Sequence, residues 1–117
     1  MTKFKIALFA SAFALAASPA FAHAELTKAT PAAKSSGPAP QMITLHFSEG
    51  LDSTFSKLSL SMDGKPVALK ASVDSKDDKT MMGKPNAPLT AGIYKVDWTS
   101  VAHDSHKLSG SYSFTVK

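Results

Sequence analysis

Short segments in which apolar and polar residues alternate recur along the chain after residue 25. In residues 42–48 an extended backbone places Ile43, Leu45 and Phe47 on one face and Thr44 and His46 on the other. The same alternation marks three further segments, 57–62, 92–100 and 108–116. Because successive side chains of a strand point to opposite faces, each segment is predicted to be a β-strand with one buried face.

The segments between these strands carry turn and loop residues. Asp63-Gly64 is a strong hairpin signal, and the proline-bearing residues 32–40 and 85–88 predict loops. Three further strands are predicted at 26–30, 66–72 and 80–82. No segment shows a helical period of useful length. Seven short strands separated by turns are typical of an all-β, antiparallel sandwich.

The first residues have the layout of a secretory signal peptide. Residues 1–22 begin with two lysines, continue with an apolar stretch and end on small residues at Ala22. Cleavage after Ala22 would make His23 the new N-terminus of a single domain, 23–117. A second small-residue pattern would place the cut after Ala24 and remove His23. The distance from the apolar stretch favours the first site.

Composition narrows the possible functions of this domain. Removal of residues 1–22 leaves 95 residues with 11 lysines and nine acids, which is a net charge of 11 − 9 = +2. The chain has no arginine, the side chain best suited to phosphates and bases, so nucleic-acid binding is not expected. It has no cysteine, which excludes disulfides and thiolate metal sites. No second apolar stretch reaches the ~20 residues that a membrane span needs.

Two places in the sequence offer metal ligands. An N-terminal His23 would present its α-amino group and its imidazole a few bonds apart, which is a chelate suited to tetragonal Cu(II). Asp104 and His106 are separated by one residue. In an extended segment their side chains would share a face, about 6.5–7 Å apart along the backbone. Together the amine, the imidazoles and the carboxylate are nitrogen and oxygen donors of the kind that Cu(II) accepts.

Distinctive motifs occupy four segments, 23–31, 45–49, 88–98 and 104–111. Together they resemble the CopC family of periplasmic copper-resistance proteins, and the resemblance covers nearly all of the chain after residue 22. It implies a seven-stranded Greek-key β-sandwich or barrel with an immunoglobulin-like, cupredoxin-like outline. It also implies one Cu(II) ion per chain, bound by the amine and imidazole of His23, by Asp104 and by His106.

The resemblance also implies a function. It predicts a periplasmic Cu(II)-binding protein, not an enzyme, that sequesters copper or delivers it to an inner-membrane copper transport protein of the CopD type. The chain is expected to act as a monomer. Because amines and imidazoles bind metals only when deprotonated, copper release is expected as the pH falls toward about 5.

Three polar residues near these motifs have their own interpretations. Glu49 belongs to a Phe-Ser-Glu motif that places it in or beside the copper site of the family, but it is also an acid that opens a turn. His103 is adjacent to Asp104 and is predicted to be a solvent histidine. His46 is predicted to be an exposed strand residue.

The methionines differ from those of some CopC proteins, which carry a methionine-rich Cu(I) loop. The corresponding stretch here, residues 62–67, is short and has a single methionine, Met62. Met62 and Trp98 are both predicted to lie in the core. Met81 and Met82 are adjacent and would face opposite sides of a strand. A Cu(I) site of the family type is therefore not expected.

Two other functions are compatible with parts of the sequence. An N-terminal histidine that chelates copper with a second imidazole also resembles the copper site of lytic polysaccharide monooxygenases, which are oxidative enzymes. Those enzymes need an open position for oxygen at the copper, and Asp104 would occupy that position here, which argues against this function. A metal-free, immunoglobulin-like export module would explain the strands but would leave His23, Asp104 and His106 without a role.

Overall fold

Nine β-strands make up residues 23–117, the part of the chain that this computed structural model describes. The predicted signal peptide, residues 1–22, and its cleavage lie outside the described residues. Within residues 23–117 there is no helix long and apolar enough to cross a membrane. In chain order the strands are β1 (Leu26–Thr30), β2 (Ser36–Gly37), β3 (Ile43–Phe47), β4 (Lys57–Met62), β5 (Lys65–Val67), β6 (Leu69–Val73), β7 (Thr80–Pro85), β8 (Gly92–Val101) and β9 (Lys107–Val116).

The strands form two sheets around one apolar core. One sheet has the strand order β1-β3-β7-β6, and the other has the order β2-β9-β8-β4-β5. Every pairing is antiparallel except the short one between β2 and β9. The predicted all-β sandwich is therefore confirmed.

The strand count differs from the predicted seven for two local reasons. The predicted loop 32–40 contains β2, two residues that pair with β9. The predicted strand 66–72 is divided at Ala68, where the chain passes from one sheet to the other: β5 pairs with β4, whereas β6 pairs with β7. Pro66 lies on β5 at the edge of its sheet, a position where the missing N–H of proline is tolerated.

The inward faces of the alternating segments fill the space between the sheets. Trp98 is buried and meets Phe47 edge to face, with ring centroids 5.3 Å apart, across the two sheets. Tyr94 and Phe114 stack at 5.5 Å on neighbouring strands. Trp98 lies in the core as predicted, and Met62 packs against the core from a half-buried position.

One end of the sandwich collects the segments that carry the candidate ligands. Because β1 and β3 are antiparallel, the start of β1 lies beside the end of β3, with Leu26 opposite Phe47. In the other sheet β8 ends and β9 begins at Val101 and Lys107, which are paired. The strand topology thus brings His23 and the β8–β9 connection to the same end of the domain.

Candidate metal centre

The β8–β9 connection holds Asp104 and His106 in a tight turn. The Ala102 N–H donates to the His106 carbonyl oxygen at 2.9 Å, and the Ser105 N–H donates back to the Ala102 carbonyl oxygen at 2.9 Å. Ser105 has a positive φ of 76°, which an extended backbone does not have. The expectation of an extended Asp-x-His segment is therefore wrong, because a connection this short must reverse the chain between two antiparallel strands.

The turn brings the two side chains together by a different route. One carboxylate oxygen of Asp104, Oδ1, accepts a hydrogen bond from the His106 N–H at 3.1 Å. The other, Oδ2, lies 3.2 Å from His106 Nδ1. The side chains stay accessible, with 43% of Asp104 and 48% of His106 exposed. An Asp at this position stabilises the turn through its own backbone contact and still presents a carboxylate beside an imidazole.

His23 reaches the same end of the molecule from the start of the described chain. Its ring is half-buried and meets the His106 ring edge to face, with centroids 5.3 Å apart and planes at 69°. The Ser48 hydroxyl donates to the His23 carbonyl oxygen at 3.1 Å and accepts from the Glu25 N–H at 3.0 Å. The structure therefore brings His23 into one cluster with Asp104 and His106, which lie some eighty residues further along the chain.

The cluster is not a preformed metal cage. Within residues 23–117 no group of three or more His, Asp or Glu side chains has an arrangement that holds a metal ion as it stands. Asp104 uses both carboxylate oxygens within its own turn. The nitrogen of His23 is a peptide nitrogen while Ala22 is attached, and becomes an amine only after cleavage at that bond. The donor types still fit Cu(II), because they are nitrogen and oxygen groups without a soft ligand.

Glu49 follows Ser48 directly and is exposed. The Ser48 hydroxyl holds the backbone of His23, so Glu49 lies one residue from the contact that fixes the N-terminal segment. This position is compatible with a carboxylate in or beside a metal site and equally with an exposed turn residue. Both interpretations of Glu49 stay predictions.

His103 is exposed, as predicted, but its ring makes a hydrogen bond that the sequence did not indicate. Its Nε2 lies 2.8 Å from Oδ2 of Asp78, which precedes β7. The pair packs over Gly50, where a Cβ would approach Asp78 Oδ2 to 2.7 Å and His103 Cδ2 to 2.9 Å. A residue with a side chain at position 50 would therefore displace the pair. His103 tethers the β8–β9 turn to the loop before β7.

The prediction of an exposed His46 is wrong. His46 is half-buried, and its Nδ1 lies 3.1 Å from Oγ1 of Thr80, the residue opposite it on β7. The buried Thr80 hydroxyl donates to Asp77 Oδ2 at 2.8 Å. This hydrogen bond, with a second from the Lys79 N–H, lowers the pKa of Asp77 below its usual value. The partner of the His46 side chain lies on the neighbouring strand β7, and alternation along β3 alone cannot reveal it.

The two adjacent methionines behave as predicted. Met81 is buried in the core and Met82 lies half-buried on the opposite face of β7. Their thioethers therefore do not converge on one point.

Fold and site together define a small β-sandwich with nitrogen and oxygen donors gathered at one end. The CopC domain model matches residues 26–117, and the chain belongs to the CopC family. It is 45% identical to copper resistance protein C of Pseudomonas syringae pv. tomato, over 96% of this chain and 94% of that protein. It is 43% identical to copper resistance protein C of Escherichia coli, over 84% of each.

Solved structures agree with this assignment. PcoC, a methionine-rich copper resistance protein from Escherichia coli, matches with a TM-score of 0.77 and 44% identity, over 82% of this chain and all (100%) of that one. CopC from Methylosinus trichosporium OB3b matches with a TM-score of 0.76 and 28% identity, over 81% of this chain and 94% of that one. The sandwich is thus the fold that these CopC-family proteins share.

Proposed function

We propose that the chain is an exported Cu(II) carrier that binds one copper ion at the end of the sandwich where β1 starts and β8 meets β9. The observation that carries this proposal is the meeting of His23 with the Asp104–His106 pair, with imidazole centroids 5.3 Å apart. Membership in a family whose members include copper resistance proteins supports the choice of metal.

The proposed ligands are the α-amine and imidazole of His23, the carboxylate of Asp104 and the imidazole of His106. Binding requires Asp104 to exchange the contacts within its own turn for the metal, and this exchange is feasible because the turn is exposed. The His23 imidazole and amine belong to one residue, so both arrive at the ion together and form a chelate. Four such donors fill a tetragonal Cu(II) plane.

The proposed carrier needs cleavage after Ala22, and the packing around Ala24 supports that site. Ala24 is only 1% exposed, and its carbonyl oxygen accepts a hydrogen bond from the buried Ser100 hydroxyl at 2.6 Å. Cleavage after Ala24 would remove a core residue and leave the Ser100 hydroxyl without this acceptor. The intact mass of the exported protein should therefore correspond to a chain that begins at His23. A mass corresponding to a start at Glu25 would exclude the amine chelate.

We place the carrier in the periplasm as a monomer, with an inner-membrane copper transport protein of the CopD type as its acceptor. The exposure of Asp104 and His106 supports a transfer role, because an acceptor's ligands can reach an ion held at the surface. Copper-loaded protein should lose its metal to vesicles that contain such a transporter. Equal loss to empty vesicles would contradict a specific partner.

A Cu(II) titration of residues 23–117, followed by electron paramagnetic resonance, tests the binding function itself. We expect one tight equivalent with the tetragonal signal of mixed nitrogen and oxygen ligation. No catalytic step is proposed, so the bound copper should not turn over ascorbate with release of peroxide. Sustained turnover would favour the oxidative-enzyme alternative, and the absence of tight binding would favour the metal-free export module.

A further inference from the structure

Ser100 is a fully buried polar side chain near the candidate site, and its hydroxyl binds the N-terminal segment. The residue lies on β8 with 0% of its surface exposed. Its Oγ donates to the Ala24 carbonyl oxygen at 2.6 Å, a contact between residues 76 positions apart in the chain. The Leu108 carbonyl oxygen is a more distant second acceptor at 3.5 Å. Because the hydroxyl has one proton, the short contact to Ala24 is the main one.

The position of Ser100 couples both halves of the proposed donor set. Ala24 directly follows His23, so a bond to the Ala24 carbonyl fixes the backbone next to the N-terminal chelate. On the other side, Ser100 is paired with Leu108 in the β8–β9 ladder, one pair below the turn that carries Asp104 and His106. A single buried hydroxyl therefore joins the segment bearing one ligand to the base of the hairpin bearing the other two.

Ser48 provides a second and more exposed anchor for the same segment. Its hydroxyl donates to the His23 carbonyl oxygen and accepts from the Glu25 N–H, and its own N–H donates to the Glu25 carbonyl oxygen at 2.9 Å. With the buried Ala24 methyl group between them, Ser48 and Ser100 hold two consecutive peptide groups. Such fixation lowers the entropy that the N-terminus would otherwise lose on binding a metal.

From this arrangement we infer that Ser100 is a positioning residue for copper, with Ser48 in a supporting role. Ser100 touches no metal; it holds the amine and imidazole of His23 where the Asp104–His106 turn can complete the site. The inference rests on the proposed function. Loss of a partner that orients metal ligands typically weakens metal binding 10–100-fold. Removal of the Ser100 hydroxyl should weaken it by an amount near the lower end of this range, because Ser48 still holds the His23 backbone.

The test compares Cu(II) affinity and the resonance signal in variants that all begin at His23. Ser100→Ala should bind Cu(II) about 10-fold more weakly and show a second resonance signal from copper with a displaced N-terminus. Ser100→Thr, which keeps the hydroxyl, should restore most of the affinity and the single signal. Ser48→Ala, at a half-buried position that tolerates truncation, should weaken binding in the same direction. Ser109→Ala removes a hydroxyl from the solvent face of β9 and is the matched control, with affinity unchanged.

The outcomes separate this inference from the proposed function. If the unmodified protein binds no Cu(II) tightly, the proposed function fails. If it binds tightly and Ser100→Ala matches Ser109→Ala in both affinity and signal, the function stands and the positioning role is wrong. Thermal unfolding of each variant identifies a fold defect in Ser100→Ala. In that event Ser48→Ala tests whether fixation of the His23–Glu25 segment positions the chelate, and an unchanged affinity and signal there overturns that claim.

Discussion

Replacing His106 by alanine is expected to weaken Cu(II) binding by about 100-fold or more. The proposed site loses a direct imidazole ligand, and even partners that merely orient ligands typically account for 10–100-fold in metal affinity. A 100-fold change corresponds to about 2.7 kcal/mol of binding free energy. His106 is 48% exposed and lies in a turn, so the fold should tolerate its removal. Competition against a chelator of known affinity measures the change.

His103→Ala is the matched control for this experiment. It removes a second imidazole from the same turn, but one that contacts Asp78 instead of the candidate ligands. Even a fully charged pair at an exposed position contributes only about 0–1 kcal/mol, so the fold and the copper affinity should change little. If His103→Ala weakened copper binding as strongly as His106→Ala, the assignment of ligands within the turn would be wrong.

Replacing Phe114 by alanine is expected to cost about 3–5 kcal/mol of the free energy of unfolding. Phe114 is 2% exposed and stacks on Tyr94, so its truncation removes buried apolar contacts and leaves a cavity between the sheets. The chain has no cysteine, so no disulfide can compensate. For a domain of this size such a loss lowers the midpoint of thermal unfolding by about 15 °C or more. Chemical denaturation gives the free energy directly.

Ser113→Ala tests whether this loss is specific to the core. Ser113 precedes Phe114 on β9 but is exposed, so its replacement should change the free energy of unfolding by about 0.5 kcal/mol or less. A similar loss in both variants would show that strand β9 is sensitive at any position. A Phe114→Ala loss below about 1 kcal/mol would contradict a core that depends on this aromatic stack.

The alternating pattern predicted most of the fold because one face of each strand is buried. The bounds of β1 and β4 match the predicted 26–30 and 57–62, β8 and β9 differ from the predictions by one residue at one end, and β3 is one residue shorter than predicted at each end. The sequence could not predict the division at Ala68. The residues on both sides of Ala68 have a composition that suits a single strand. Only their pairing partners distinguish them, since β5 pairs with β4 and β6 pairs with β7.

The candidate site followed from residue types and chain position, whereas its supporting contacts did not. His23, Asp104 and His106 were predicted from their donor chemistry, and the structure brings them together through a turn instead of an extended segment. The partners of His46 and His103 come from β7 and its preceding loop, so they depend on tertiary pairing. Ser100 lies near the end of β8, and nothing in the sequence around it reveals that its hydroxyl has an acceptor 76 residues away.

The most direct test of the central claim is a Cu(II) titration with resonance detection on two preparations of the protein. One begins at His23, and the other carries one extra residue before it, which converts the His23 amine into a peptide nitrogen. We expect one tight equivalent in the first, and a changed signal with at least about 10-fold weaker binding in the second, because the chelate is lost. Identical affinity and identical signals in both would contradict an N-terminal copper chelate at this end of the sandwich.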